Sequence, residues 1–239
     1  RDITNGFAHF TAYYQPIFSS SEKKLVGCEA LMRWNPPEYG QVSPAEFIPM
    51  AERLGYINLL GENIIRIAGR QCKKWADAGL DLRMNINLSV GQIIEPDFLD
   101  KIDTLFDETG APPEKICFEV TESLAIHDME KMKELLKHIT DKGVKIALDD
   151  FGTGYASLDI LQDISVDCLK IEQCFVAECE KNNVDRNIIK HIILLAHSLG
   201  LKVCMEGVET EGIYDVAVEE QADTTDSRYS SRWRRGRCS

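Results

Sequence analysis

The amino-acid sequence predicts an α/β fold in which strands and covering helices alternate around a (β/α) barrel. The main observation is a unit that recurs from residue 60 onward: an amphipathic helical stretch, a glycine, a short β-rich run and then a carboxylate or amide side chain. The β-rich runs are almost continuously apolar, which is typical of parallel strands buried on both faces. The sequence contains no GxGxxG turn, and its absence disfavours a dinucleotide-binding doubly wound sheet.

Length and composition indicate one single-core domain, because the chain has 239 residues, of which 44% are hydrophobic. No run of about 18 uncharged apolar residues occurs, so we expect no membrane segment. The eight cysteines show no CxxC spacing, which favours reduced thiols and a cytoplasmic location. A net charge of -12 argues against a nucleic-acid polymer as partner, because phosphate contacts need clustered Lys and Arg.

The first two strands are predicted at residues 12–18 and 25–33. The link between them is too short for a parallel crossover, so we expect an antiparallel hairpin. The recurring unit then predicts the remaining elements. Helices are expected at 62–78, 97–109, 130–142 and 186–199, each followed by a glycine stop, and strands at 83–89, 116–122, 145–150, 167–172 and 203–208.

These seven strands are one short of the eight that close a barrel of this kind. After Ile213 the periodic pattern fades, and the end of the chain is polar and rich in arginine. We therefore expect a barrel domain over residues 1–213 whose last strand and helix are missing or altered, and a divergent tail over residues 214–239. The tail is interpreted as disorder, a basic arm, an altered reading frame or a truncation.

Carboxylate and amide side chains accumulate where the predicted strands end. A single carboxylate at a strand end is most often a helix cap or a solvated loop residue, but here the pattern covers five different strands. The ends of barrel strands meet on one face, so these side chains are expected to lie together. They are Glu29, Asn87, Glu119, Glu122, Asp149, Asp150, Lys170, Glu206 and Glu209.

So many acids at one mouth repel each other unless cations lie between them. Oxygen ligands without clustered His or Cys suit Mg²⁺ or Mn²⁺. The strand is expected to break at Gly152, so that both Asp149 and Asp150 turn to the mouth and one carboxylate bridges two ions. Two such ions favour phosphodiester hydrolysis. Lys170 is interpreted either as a group near the attacking water or the phosphate, or as an ion-pair partner.

A series of motifs over roughly residues 12–212 resembles the EAL phosphodiesterase family. Glu29-Ala30-Leu31, followed by Arg33-Trp34, is similar to the motif that names this family. The other motifs follow in the family's order: Gln15-Pro16-Ile17, the run from Ser43 to Pro49, Asn87-Leu88-Ser89 with Gln92, Glu119-Val120-Thr121-Glu122, the run from Asp149 to Leu158, Leu169-Lys170-Ile171 and Glu206-Gly207-Val208-Glu209.

This resemblance implies a modified TIM-type barrel with one antiparallel strand that opens cyclic di-GMP to linear pGpG with two Mg²⁺ or Mn²⁺ ions. It implies that Glu29, Asn87, Glu119 and Asp149 hold one ion, and that Asp149, Asp150 and Glu206 hold the other. Lys170 orients the water, Glu206 also serves as the base, and Glu122 anchors a gating loop from Asp150 to Leu158. Gln15, Leu31 and Arg33 match positions that contact the dinucleotide.

The resemblance also implies a possible homodimer and an upstream cyclase-like or sensory domain in the parent protein. The sequence departs from the family where a strand after residue 209 is expected to carry a glutamine in a QG-rich stretch. Weakened catalysis or poor folding is therefore expected. One alternative is an impaired domain that binds cyclic di-GMP as a receptor. Another is a glycosidase with two carboxylates, which the surplus of acidic residues disfavours.

Overall fold

The computed structural model describes residues 2, 3, 5–121, 129–152, 161 and 165–226. Within these residues the strands pair in chain order and close into a barrel. The strands are β1 Phe10–Ser19, β2 Leu25–Trp34, β3 Arg83–Leu88, β4 Ile116–Thr121, β5 Lys145–Phe151, β6 Cys168–Ile171, β7 Lys202–Met205 and β8 Thr224–Asp226. The seven strands predicted from the sequence are confirmed, with small differences at their ends.

Helices cover the outside of the barrel, and the four stretches that were predicted to be helical are among them. They are α1 Pro44–Arg53, α2 Ile57–Asp77, α3 Val90–Ile93, α4 Phe98–Thr109, α5 Met129–Asp141, α6 Gln173–Val176, α7 Asn183–Ser198 and α8 Glu211–Glu219. The glycine stops behave as predicted. Gly110 has a φ of 64° and ends α4, and its N–H donates to the Phe106 carbonyl at 2.8 Å.

The first strand gives the barrel its mixed topology. β1 pairs antiparallel with β2 and also with β8, whereas the other neighbouring strands are parallel. The short link between β1 and β2 forces this arrangement, because a parallel pair needs a long crossover. The predicted antiparallel hairpin is thus confirmed, and its register places Gln15 beside Glu29.

The expectation that the segment after Ile213 supplies no eighth strand was wrong. β8 pairs with β7 through Thr224 and Thr225 and with β1 through Asp226 and its two predecessors. The helix α8 also continues past Ile213 and ends at Glu219. A strand of three residues is too short to show an alternating pattern in the sequence, so periodicity missed it. Barrel elements therefore extend beyond residue 213, and the part of the expected tail over 227–239 lies outside the described residues.

The side chains of the strands divide into an outer and an inner set. Phe118, Ile146 and Leu169 are fully buried among the helices. At the lower end of the barrel, where the parallel strands begin, the inner side chains are small and apolar and include Cys117 and Cys168. The seven cysteines within the described residues are free thiols. No helix in this part of the chain has the length and apolar character needed to cross a membrane.

Candidate metal centre

The inner side chains change character toward the carboxyl ends of the strands, where they surround Lys170. This lysine of β6 is 2% exposed, and four carboxylates approach its ammonium group. The distances from Lys170 Nζ are 2.6 Å to Glu206 Oε1, 2.9 Å to Glu119 Oε1, 3.2 Å to Asp149 Oδ1 and 3.6 Å to Glu29 Oε2. The strand-end residues of five strands thus converge as the sequence predicts.

Two more acids belong to the cluster, so that six carboxylates among the described residues lie around one ammonium group. Asp150 and Asp226 join the four that contact Lys170. Within the described residues, two groups of three acids place their ligand atoms within 4.8 Å of one another. These groups are Asp149, Asp150 and Glu206, and Glu29, Glu206 and Asp226. The first is the set that the family resemblance implies for one ion.

The side chains of Asp149 and Asp150 both face the mouth because the strand is irregular from Asp150 to Gly152. Asp150 has a φ of 55°, in the left-handed region, and the pairing of β5 with β6 shifts register between Leu148 and Phe151. An extended strand would turn neighbouring side chains to opposite faces. The sequence predicted this break at Gly152, and the structure begins it at Asp150, whose N–H donates to Asp149 Oδ1 at 3.0 Å.

Glu119 shows that the cluster fits a cation. Its side chain is fully buried, and its Oε1 atom accepts from Asn85 Nδ2 at 2.8 Å and contacts Lys170. Its other oxygen, Oε2, is buried without a hydrogen-bond partner in the part of the chain that the structure describes. A buried carboxylate oxygen without a partner is costly. Oxygen ligands of this kind suit hard divalent ions such as Mg²⁺ or Mn²⁺.

The crowding of acids changes their proton affinity. Burial raises the pKa of Glu206 to about 8; Lys170 opposes this rise, and Asp149 and Asp226 add to it. Burial also raises the pKa of Glu119 well above its usual range, with repulsion from Glu29 adding to the rise. Burial disfavours the charged form of Lys170, but the surrounding carboxylates outweigh this and raise its pKa. Without divalent ions, part of this cluster therefore holds protons near neutral pH.

The other predicted site residues lie around this cluster. Asn87 donates to Glu29 Oε1 at 2.7 Å, and Gln15 donates to Asp226 Oδ2 at 2.9 Å. Glu209 is exposed and belongs to neither acidic group. Glu122 lies outside the described residues, as do residues 153–158 of the predicted gating loop. Asn87 on β3 and Gln15 on β1 thus contact the cluster, each through one of its carboxylates.

A cavity of about 480 Å³ opens beside the cluster, between the ends of β2 and β3 and the helices α1 and α2. Leu31, Arg33 and Asn87 belong to its lining, together with apolar side chains from both helices. The Arg33 guanidinium lies 5.4 Å from the ring centroid of Tyr13. The cavity therefore combines an apolar wall with one cationic side chain, and its lining residue Asn87 connects it to the acids through the hydrogen bond to Glu29.

Sequence reasoning missed Asp226. Its position at the end of β8 places its carboxylate at the mouth, as for the other strand ends. The sequence marks this acid only as an aspartate after two threonines, within the stretch predicted to be a divergent tail. Recognising β8 would have revealed it.

Comparisons with known proteins agree with the motifs. A family model described as the EAL domain matches residues 1–225. The Pseudomonas aeruginosa protein MucR, described as a bifunctional diguanylate cyclase/cyclic di-GMP phosphodiesterase, is 36% identical over 200 residues, which cover 83% of this chain and 29% of MucR. The chain therefore spans less than a third of that relative's length.

Solved structures are similar over nearly the whole chain. One described as the PaMucR phosphodiesterase in complex with c-di-GMP superposes with a TM-score of 0.90 at 32% identity, and the match covers 96% of this chain and 93% of that one. The EAL enzyme Bd1971, in a form with cAMP and cyclic di-GMP bound, gives a TM-score of 0.89 at 28% identity, covering 96% and 63%. The described barrel thus has close structural counterparts.

The raised pKa of Glu206 predicts how stability depends on pH. Folding raises this pKa from 4.5 to about 8, so the folded chain binds more protons than the unfolded chain between these values. The free energy of unfolding of the metal-free chain therefore falls as pH rises across this interval. Thermal melts in chelator should show a falling melting temperature, and added Mn²⁺ should oppose the fall because a cation replaces the proton.

Glu206→Gln should flatten the fall in chelator, whereas substitution of the exposed Glu38 by Gln should leave it unchanged. A metal-free wild-type chain that becomes more stable between pH 5 and 8 would contradict this account of the cluster.

Proposed function

The chain belongs to the EAL domain family, and on this premise we propose that it hydrolyses cyclic di-GMP to linear pGpG. The observation that carries the proposal is the crowded carboxylate mouth beside a cavity lined by Arg33. One oxygen of Glu119 in this mouth is buried without a hydrogen-bond partner in the described part of the chain. The described activity of MucR and the dinucleotide in the PaMucR complex support the same substrate class. The reaction would lower the level of a bacterial second messenger.

The chain offers ligands for two divalent ions, Mg²⁺ or Mn²⁺. Glu29, Asn87, Glu119 and Asp149 would hold one ion, and Asp149, Asp150 and Glu206 would hold the other. When bound, such ions polarise the phosphate diester, lower the pKa of water and stabilise the leaving oxygen. The left-handed backbone at Asp150 serves this arrangement, because it allows two consecutive carboxylates to face the same site.

Lys170 and Glu206 are the groups that we propose to handle the attacking water. Their contact of 2.6 Å, deep in the mouth, holds the carboxylate in one orientation. In the reaction the water oxygen attacks phosphorus and its proton passes to Glu206, while the bond from phosphorus to the leaving ribose oxygen breaks and that oxygen takes a proton from solvent water. Glu206 then releases its proton to solvent. Lys170 donates hydrogen bonds that orient the water or a phosphate oxygen. Its ion pairs with Glu119 and Asp149 position it for this role.

Substrate binding is proposed for the cavity beside the ions. The apolar wall that includes Leu31 would contact a guanine base, and the Arg33 guanidinium would pair with a phosphate. Gln15 is not part of this cavity lining but lies at the acidic cluster, where its amide donates to Asp226. We propose that it contacts the dinucleotide from that position. Glu122 keeps its proposed role as the anchor of the gating loop. A homodimer and an upstream cyclase-like or sensory domain in the parent protein also remain proposals, as does a cytoplasmic location.

The experiment that tests this function follows the conversion of cyclic di-GMP to pGpG by the purified chain with Mn²⁺. Product should form, chelator should abolish it, and Glu29→Gln should reduce kcat at least a hundredfold because a metal ligand is lost. Glu38→Gln serves as the matched surface control. If the wild-type chain binds the dinucleotide with Mn²⁺ and never cuts it, the hydrolase proposal is wrong and the receptor alternative is correct.

Arg33 gives a prediction about substrate binding. Arg33→Met keeps most of the aliphatic stem and removes the guanidinium, so KM should rise about tenfold or more while kcat changes little. Arg53→Met, an exposed position at the end of α1, should leave KM unchanged. Steady-state kinetics would measure both variants, and an unchanged KM for Arg33→Met would exclude the proposed phosphate contact.

A further inference from the structure

Asp226 is a buried acid whose two hydrogen-bond donors are both neutral. The side chain is the last of β8, and the residue is 4% exposed. Its Oδ1 atom accepts from the Gly207 N–H at 2.6 Å, and its Oδ2 atom accepts from Gln15 Nε2 at 2.9 Å. Within the described residues no Lys or Arg forms an ion pair with it. Two neutral donors orient this carboxylate but do not neutralise its charge.

Among the described residues, little positive charge surrounds Asp226. One of its oxygens lies within 4.8 Å of ligand atoms of both Glu29 and Glu206. The only ammonium at this mouth within the described residues, that of Lys170, is already shared among four other carboxylates. Within the described residues, the buried Oε2 atom of Glu119 also has no hydrogen-bond partner, which independently indicates that this acidic cluster accommodates a cation. A buried cluster of this kind needs bound protons or a further cation to offset the repulsion among its carboxylates.

We propose that Asp226 is itself a metal ligand, which joins Glu29 in holding the divalent cation on the Glu29 side of the barrel mouth, with Glu206 beside it. This inference rests on the proposed two-metal function and adds a ligand to it. The Gly207 N–H and the Gln15 amide are then the outer groups that orient the ligand, as is usual around metal-bound carboxylates. Each carboxylate oxygen that accepts one hydrogen bond keeps a second lone pair for the ion.

The barrel closure explains why the ligand is available. The pairing of Ile17 with Asp226 brings the end of β8 beside β1, and the neighbouring register places Gln15 beside Glu29. A barrel that lacked β8 would not deliver this carboxylate. The short last strand therefore both closes the sheet and supplies a ligand.

The test is a calorimetric titration of the full, chelator-stripped chain with Mn²⁺ in the absence of any nucleotide. Asp226→Asn has the same shape and can still accept from the Gly207 N–H, so a weaker affinity reports the lost ligand charge. We expect Mn²⁺ affinity to fall at least tenfold. Asp223→Asn removes the same charge three residues earlier, where the side chain accepts from the Val203 N–H and His197, and it should bind Mn²⁺ as the wild type does.

Asp226→Glu and Asp226→Gln separate the loss of the carboxylate from a loss of folding. Glu restores a carboxylate and should regain most of the affinity, whereas Gln should not, and thermal melts would check that each variant is folded. Wild-type affinity in a folded Asp226→Asn or Asp226→Gln variant overturns the inference. An equal loss in Asp223→Asn, or no Mn²⁺ binding by the wild type, also overturns it.

These results can be separated from the proposed function because no substrate is present. If the wild type fails to cut cyclic di-GMP while Asp226→Asn loses Mn²⁺ affinity, the proposed function fails and the inference stands. If the wild type cuts the dinucleotide and Asp226→Asn keeps its Mn²⁺ affinity, the inference alone fails.

Discussion

Within the residues that the structure describes, six carboxylates lie around one ammonium group at the mouth of this barrel, and the rest of the fold accommodates that imbalance. Lys170 contacts four of them directly, and its own charge is maintained by their proximity. One ammonium cannot neutralise six acids, so protons or divalent cations must make up the difference. We expect the repulsion that destabilises a metal-free cluster to favour cation binding at the mouth. A stability cost at the site is thus the physical basis of the chemistry that we propose.

The barrel tolerates this cost because its two sets of side chains have different tasks. The outward residues of the strands form the apolar core with the helices, and that burial supplies most of the stability. The inward residues are small and apolar where the parallel strands begin, and they are polar or charged at the carboxyl ends of the strands. A strand alternates its side chains, so each strand contributes to both sets. The acids can therefore be crowded together without removing the apolar residues that stabilise the fold.

The sequence predicted most of the scaffold and most of the cluster, since both follow from local patterns. Glycine stops and apolar runs marked the helices and strands, and strand-end positions identified acids such as Glu29 and Glu119. The proposed substrate came from the motif resemblance, because composition and spacing alone indicated only phosphodiester chemistry. The sequence did not predict β8 or Asp226, because a three-residue strand has no periodicity and is defined by its pairing with β1 and β7. The left-handed backbone at Asp150 is likewise a result of the three-dimensional fold.

A crystal structure of the chain soaked with Mn²⁺, with anomalous scattering data to locate the ions, would show directly whether the acidic mouth binds divalent cations. We expect anomalous peaks at the barrel mouth. One should contact Asp149, Asp150 and Glu206, which already lie together there, and a second should lie on the Glu29 side of the cluster. Manganese that binds only at surface carboxylates, with the mouth free of anomalous density, would contradict the account.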